Sequence, residues 1–226
     1  MKKILLIEDR ETRQHGFLNN INLDLNSYSD VLENKIGEEY KKFYEKIKID
    51  NFDFSEYILV ISHKNAFNGD TQKVIFNITK ECKDKNIPMV LFSGGVSCSS
   101  YRKDDQEEIL ELDSKDFYSK NLELFLKNYQ DSEKIELQIL NYGDKWKLNI
   151  ILNIIEKINI FIAENEKDED ILYDEFVNFT SFDLLKSTDF NHESLEIEDG
   201  WIYLNEIKKV AKSLNTYLNK SIIYEK

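Results

Sequence analysis

The chain has 226 residues and a formal net charge of -13 at pH 7, from 43 Asp and Glu against 30 Lys and Arg. This acidic balance disfavours nucleic acid as a partner, because duplex binders usually present a basic face. The apolar fraction of 41% is enough for a packed core, which excludes a wholly disordered chain.

The N-terminal apolar run is too short for a signal peptide, and no apolar stretch reaches the length of about 18 residues that spans a membrane. The two cysteines, Cys82 and Cys98, lack metal-ligand spacing and fit a reducing cytoplasm better than a disulfide framework. We therefore expect a cytoplasmic protein without a membrane partner. The richness in Asn, Ile, Lys and Tyr resembles coding by an AT-rich bacterial or phage genome.

Apolar runs and helical periodicity alternate along the first part of the chain. Apolar runs predict strands at residues 3–7, 57–61, 88–92 and, more weakly, 109–112. Residues 21–28 are ambiguous and could form a second strand, because apolar and polar residues alternate there. Periods of three and four predict helices at residues 10–19, 31–47, 71–82 and 121–129.

This alternation predicts an α/β fold with a doubly wound, parallel, five-stranded sheet. In such sheets the functional site lies beyond the carboxyl ends of the strands. Polar segments follow three predicted strands at that edge: Glu8–Asp9, Ser62–His63 and Ser93–Gly94. The sequence therefore predicts that these segments lie near one another.

The pattern becomes mostly helical after about residue 130. Residues 142–163 carry a broad apolar face with Trp146 and many isoleucines, which is typical of a helical core and also suits a dimer or partner interface. The acidic run at residues 164–175 is typical of a solvated helix end and could also engage a basic partner.

Further helices are predicted near residues 170–179 and 203–218. Between them, the chain forms either a hairpin turning at Asp199–Gly200 or a loop. We place a boundary between residues 130 and 142. The expected domains are residues 1–130 and a mostly α-helical output or dimerisation region, residues 131–226.

The segment KKILLIED resembles the first strand and acidic pair of response-regulator receiver domains. In that family the acidic pair helps to hold Mg²⁺, the third strand ends in the phosphoacceptor Asp, the fourth ends in Ser or Thr before a small residue, and the fifth ends in Lys. The resemblance implies that Glu8 and Asp9 are the acidic pair. It also implies that Ser93, before Gly94, is the hydroxyl residue and that Lys115 is the lysine.

The third strand departs from this pattern. The alignment puts Ser62 at the acceptor position, and no Asp or Glu lies between Tyr57 and Phe67. Asn68–Gly69 then falls near the family's usual turn. Aspartyl-phosphate formation needs a carboxylate nucleophile, so phosphotransfer is not expected. His63 is adjacent to Ser62, but neighbouring strand residues point to opposite faces, and we interpret His63 as a surface or hydrogen-bonding residue.

The resemblance, which covers about residues 1–130, therefore implies a pseudo-receiver. Its predicted pocket consists of Glu8, Asp9, Ser62, Ser93 and Lys115. Mg²⁺ on Glu8 and Asp9 is an alternative to an empty pocket, because carboxylates are its preferred ligands.

The loop SGGVSCSS offers a second interpretation, since it resembles the pyrophosphate-binding loop of PP-loop ATP pyrophosphatases. Gly94, Gly95 and Ser97 could then bind a nucleotide phosphate. Ser97 and Cys98 replace the Asp and Ser of that family's pattern, and the loop follows a late strand instead of the first. A flexible glycine turn is the simpler interpretation.

The predicted function is signal transduction by protein–protein interaction, independent of phosphorylation. The expected partner is another protein, such as a signalling or defence effector, and a homodimer is an alternative. A nucleotide-binding enzyme that uses the glycine loop remains the alternative function.

Overall fold

The computed structural model describes residues 2–48, 52–67, 70–103, 107–191 and 195–224, with side chains up to residue 220. Two compact units make up the chain, Met1–Asp144 and Lys145–Lys226. The division falls after the predicted boundary, because the helices that follow residue 120 still belong to the first unit. The position predicted for the family's turn, residues 68 and 69, lies outside the described residues, as does His192.

The first unit is an α/β structure around one six-stranded sheet. Its strands are β1 Lys3–Ile7, β2 Leu32–Lys35, β3 Tyr57–His63, β4 Met89–Ser93, β5 Ser100–Lys103 and β6 Glu108–Asp113. Its helices are α1 Glu11–Ile21, α2 Gly37–Lys48, α3 Thr71–Asp84, α4 Ser114–Phe117, α5 Lys120–Ser132 and α6 Gln138–Tyr142, with a 3₁₀ turn at Leu25–Tyr28.

The sheet has the order β2-β1-β3-β4-β6-β5, and all its pairings are parallel except that of β5 with β6. The α/β class and the mainly parallel sheet are confirmed. The expected count of five strands is wrong, because β5 adds an antiparallel strand at the edge. The residues of β5, SYRK, are largely exposed. Their sequence lacks the apolar run that would have predicted a strand there.

The central strands are covered on both sides, as their apolar sequences require. Every residue from Ile4 to Ile7 is fully buried, and so are Leu59 to Ile61 of β3. Each such side chain contributes about 1.5–3 kcal/mol relative to an exposed one. This packing fixes the carboxyl ends of β1 and β3 side by side.

The second strand differs from its prediction. Residues 21–28 form the end of α1 and a 3₁₀ turn, while β2 lies within the segment predicted as one helix. Gly37, the first residue of α2, has a φ of +57°, a left-handed conformation that favours glycine. A Cβ there would lie 3.0 Å from a carboxylate oxygen of Glu11.

The second unit is mostly helical and contains a small antiparallel sheet. Its elements are α7 Trp146–Glu164, β7 Asp170–Leu172, α8 Tyr173–Thr180, a 3₁₀ segment Phe182–Ser187, β8 Ile197–Glu198, β9 Trp201–Tyr203 and α9 Leu204–Tyr224. The predicted isoleucine face of α7 lies in the core: Ile150, Ile151, Ile154 and Ile158 are buried.

The hairpin interpretation of residues 195–204 is confirmed, since β8 and β9 pair around Asp199 and Gly200. The sheet order is β7-β9-β8. Among the described helices, none is both long and apolar enough to cross a membrane.

Candidate functional site

The register of β1 against β3 decides which side chains meet at the carboxyl edge. Ile7 pairs with Ser62, so Glu8 follows beside His63. Paired residues of neighbouring strands share a face, and the next residues point to the opposite one. His63, and not Ser62, therefore lies on the same side of the sheet as Glu8.

Glu8 is fully buried and its carboxylate is saturated with hydrogen bonds. The Nη2 of Arg13, on α1, donates to both Glu8 oxygens at 2.8 and 2.9 Å. The backbone N–H of Arg10 donates at 3.0 Å, and the Tyr118 hydroxyl donates at 3.1 Å. Burial raises the pKa of Glu8, and the Arg13 guanidinium only partly opposes this. Without Arg13, the buried carboxylate would have no charged partner within this set of contacts.

Arg13 also joins His63 to the carboxylates. Its Nη1 lies 3.2 Å from Nε2 of His63, and Asp9 Oδ1 lies 2.7 Å from Nδ1 of the same ring. A guanidinium can only donate, so Nε2 must accept, and the ring proton is then on Nδ1 and donates to Asp9. The contacts thus assign one tautomer of a neutral imidazole.

Asp9 keeps its charge in this setting. Burial alone would raise its pKa, but the hydrogen bond from His63 contributes to a net lowering. Arg10 Nε lies 3.6 Å from Asp9 Oδ2. We call Glu8, Asp9, Arg13 and His63 the strand-end cluster. Its two carboxylates are balanced by the guanidinium groups of Arg13 and Arg10.

A second layer of polar contacts supports the cluster. Gln14, on α1, donates to the Tyr118 hydroxyl at 3.2 Å and exchanges hydrogen bonds with Asn34 of β2. Burial and the nearby Glu8 charge raise the pKa of Tyr118 well above its usual value, which keeps the hydroxyl proton available for donation. An aromatic stack of Phe92 on Phe117, with centroids 4.4 Å apart, lies beside Tyr118.

The other predicted pocket residues lie elsewhere in the hydrogen-bond network. Ser62 is fully buried, and its hydroxyl donates to the His63 carbonyl oxygen at 3.3 Å. Ser93 accepts a hydrogen bond from Asn65 at 3.3 Å. Lys115 is exposed on α4, where its backbone N–H donates to Asp113. Of the five predicted residues, only Glu8 and Asp9 belong to the strand-end cluster.

The glycine loop leads from β4 into the edge strand β5. Gly94, Gly95 and Ser97 are described residues of this loop, and a turn hydrogen bond runs from the Val96 N–H to the Ser93 carbonyl. Phosphate loops commonly use the N-terminus of a following helix to hold the anion. Because a strand follows here, the loop lacks that feature.

The cluster fits Mg²⁺ poorly. Glu8, Asp9 and His63 each bring one ligand atom within 4.8 Å of the others. Mg²⁺ prefers an octahedral set of oxygen ligands, whereas this set includes an imidazole nitrogen. Arg13 also engages both Glu8 oxygens, and His63 engages Asp9. The positive charge that a dication would bring is already supplied by side chains of the chain itself.

Sequence reasoning missed three members of this arrangement: Arg13, Gln14 and Tyr118. Arg13 and Gln14 follow the acidic pair within the first helix, so a search for cations one turn beyond a strand-end carboxylate would have found Arg13. Tyr118 has no such signal, because it lies 110 positions from Glu8.

Fold and site together define an α/β protein with a mainly parallel sheet and an internally paired polar cluster at the strand ends. Comparison of the chain with protein-family models, with curated proteins and with solved structures gave no match.

Proposed function

We propose that the chain is a pseudo-receiver, a regulatory protein of signal transduction that acts by protein–protein interaction without phosphotransfer. The parallel strands support this, because their order, β2-β1-β3-β4-β6, is that of the flavodoxin-like doubly wound folds. The acidic pair after β1 supports it as well. Since a fold hosts many functions, the site carries the argument.

The observation that carries the proposal is the closure of the acidic pair by Arg13 and His63. Phosphotransfer to a receiver needs a carboxylate acceptor and a metal beside it. Here the β3 side chain that meets Glu8 and Asp9 is His63, and Arg13 engages both Glu8 oxygens. The pocket is therefore arranged for stability in one state instead of for a chemical cycle.

A domain fixed in this way can still regulate by binding. In a two-state receiver, phosphorylation shifts the balance between two surfaces. A cluster that is already neutralised removes that input and leaves one surface constantly presented. The second unit then serves as the output element, and its exposed apolar residues are the natural place to look for a partner.

Incubation of the full chain with acetyl phosphate and Mg²⁺, followed by intact-mass measurement, tests the absence of phosphotransfer. We expect no added phosphoryl group, while a true receiver treated in parallel gains one. The reason is that, among the residues that the structure describes, the β3 side chain beside the acidic pair is His63 and not a carboxylate. Stoichiometric phosphorylation of the chain would overturn the proposal, and alkali and acid treatment of that product would then distinguish an acyl phosphate from a phosphohistidine.

The interaction half of the proposal needs its own measurement. The full chain is used as bait with and without acetyl phosphate, and captured proteins are quantified against a heat-unfolded bait. We expect the same specific partner under both conditions. A partner captured only after acetyl phosphate treatment contradicts independence from phosphorylation, and equal capture by unfolded bait contradicts a folded interaction surface.

A further inference from the structure

The small sheet of the second unit has one buried and one exposed face. Pairing sets Leu172 opposite Trp201 and Asp170 opposite Tyr203, and paired residues share a face. On the inner face, Ile171 and Ile202 are 4% and 1% exposed, while Ile197 of the edge strand β8, which pairs with Ile202, is 41% exposed. On the outer face, Leu172, Trp201 and Tyr203 are 46%, 46% and 44% exposed. We call these three residues the outer sheet face.

The outer sheet face is held in place by regular elements. Asp199 and Gly200 have φ of 50° and 85°, which is the conformation of a two-residue type I′ turn and aligns β8 with β9. Helix α8 begins directly after Leu172, and α9 begins directly after Tyr203. Both ends of the apolar row are thus anchored, which limits the ordering cost of binding.

Two carboxylates border this apolar row on its own face. Asp170 and Glu198 are exposed, and their pairing partners Tyr203 and Trp201 place them on the same face. The Tyr203 hydroxyl donates to Glu198 at 3.2 Å. Lysines also lie near this face, because Lys167, Lys208, Lys209 and Lys212 line a cavity next to Tyr203 together with four carboxylates. That side is therefore balanced in charge, and the carboxylates on the face itself, Asp170 and Glu198, set its sign. An exposed Trp and Tyr with an acidic border suit an apolar anchor flanked by cations.

The charge pattern indicates which kind of partner the outer sheet face can bind. A second copy docked through the same patch in a two-fold dimer would bring its own Asp170 and Glu198 against these carboxylates, which is unfavourable. Nucleic acid is disfavoured for the same reason, since its phosphates are anionic. A protein segment with both apolar and basic side chains suits this surface, since the apolar ones can contact the apolar row and the basic ones its carboxylates.

We infer that the outer sheet face binds a basic amphipathic helix of a partner protein. The apolar stripe of that helix contacts Leu172, Trp201 and Tyr203, and its flanking Arg or Lys side chains meet Asp170 and Glu198. This inference rests on the proposed function, because it names the chemistry of the partner and the surface that receives it.

The test uses a fluorescein-labelled helical peptide of Leu, Ala and Arg, with leucines on one face and arginines along its borders. Anisotropy measures its binding to the full chain. We expect binding that is at least about tenfold weaker for the Asp170→Lys/Glu198→Lys variant and for Leu172→Ser/Trp201→Ser. The matched variant Glu123→Lys/Asp131→Lys makes the same charge change on exposed positions of α5 and should bind within about twofold of the wild type.

Two peptide controls separate recognition from general attraction. A scrambled peptide of the same composition should bind at least about tenfold more weakly, because its leucines no longer share a face. Equal binding of both peptides overturns the inference, and so does equal weakening by the α5 charge reversal. Circular dichroism of each variant establishes that it is folded, and the conservative Trp201→Phe variant should retain binding within about threefold.

Light scattering after gel filtration distinguishes a second copy from a partner. A dimer that is lost in Leu172→Ser/Trp201→Ser would assign the surface to self-association and overturn the inference. Failure of the peptide to bind the wild type also overturns it. These outcomes leave the phosphotransfer measurement unaffected, so failure of the surface and failure of the proposed function remain distinguishable.

Discussion

The strand-end cluster and the outer sheet face both depart from the usual rule that charged side chains are exposed and apolar ones buried. The first buries a charge, and the second exposes apolar side chains. In the first unit, a charged Glu8 is fully buried, where carboxylates are rarely found unless they are paired. In the second unit, Leu172, Trp201 and Tyr203 stand half-exposed in adjacent positions. The buried charge has its partners inside the chain, whereas the apolar row lacks a cover among the described residues.

This difference shows where a ligand would gain free energy. A ligand at the strand-end cluster must displace Arg13 or His63 before it makes a contact, and the carboxylate that is left behind then loses its own partner. A partner at the outer sheet face only displaces water from apolar surface. We therefore propose that the second unit binds the partner and that the strand-end cluster stabilises the first unit.

The largest predicted effect comes from removing the charged partner of Glu8. Arg13→Met should lower the free energy of unfolding of the first unit by about 3 kcal/mol, because a buried carboxylate is left without its counter-ion. Both tryptophans, Trp146 and Trp201, lie in the second unit. Urea unfolding should therefore be followed by circular dichroism, with hydrogen exchange of peptides from β1 and β3 to report on the first unit alone.

A surface pair provides the matched control. Lys147 and Asp189 of the second unit form an ion pair at 2.8 Å, with side chains 44% and 70% exposed. Lys147→Met should cost at most about 0.5 kcal/mol, because water screens exposed pairs. Equal effects of Arg13→Met and Lys147→Met would show that Glu8 is not held by Arg13, and the contrast between the two regions would fail.

A smaller effect is predicted for Tyr118→Phe, which removes only a hydroxyl group. That hydroxyl donates to Glu8 and accepts from Gln14, so the variant leaves a buried amide and a carboxylate each short of one partner. We expect a loss of about 1–2 kcal/mol in the free energy of unfolding, measured in the same urea titrations.

Tyr203→Phe is the corresponding change at the outer sheet face. Its hydroxyl also donates to a carboxylate, but both Tyr203 and Glu198 are exposed. The free energy of unfolding should change by less than about 0.5 kcal/mol. A larger loss for Tyr203→Phe than for Tyr118→Phe would contradict the view that the two regions differ in how much they depend on internal hydrogen bonds.

The sequence predicts the centre of the first sheet better than its edges. The runs YILVI and PMVLF are continuous and apolar because β3 and β4 are covered on both sides. The edge strands β2, LENK, and β5, SYRK, carry few buried residues and lack such a signal. Their strand state comes from pairing with a neighbour, which local composition does not encode.

The candidate site is predictable only in part, because the pairing of β1 with β3 shifts by one residue. Lys3 pairs with Tyr57 while Ile4 pairs with Leu59, so Ile58 is passed over in the ladder. Counting along the apolar run cannot reveal such an irregularity, and a one-residue slip exchanges the two faces. Glu8 and Asp9 could be placed from the strand end, but the choice between Ser62 and His63 required the register.

Within the strand-end cluster, the smaller effect, and the one with a distinctive pH dependence, is predicted for Asp9→Asn. The Asn oxygen can still accept from His63, so only the charge is lost, and we expect a cost of about 1 kcal/mol near neutral pH. The folded-state pKa of Asp9 lies below its usual 3.8, as burial is outweighed by its hydrogen bonds. Its contribution is therefore complete above pH 3.8 and is lost as the pH falls through the lowered folded-state pKa.

Glu8 acts with the opposite sign, since its pKa is raised above 4.5 and ionisation disfavours the folded state. Asp9 is one of the groups that raise the pKa of Glu8, so Asp9→Asn also relieves part of that shift, and this contribution to the stability difference varies only at pH 4.5 and above. Below that range, urea titrations down to about pH 3 should give a stability difference that shrinks below pH 3.8. Exposed Asp131→Asn should show a difference below about 0.5 kcal/mol near neutral pH. A difference for Asp9→Asn that stays constant or grows under acid would mean that the folded state does not favour the Asp9 carboxylate, and the closed cluster would lose one of its two anions.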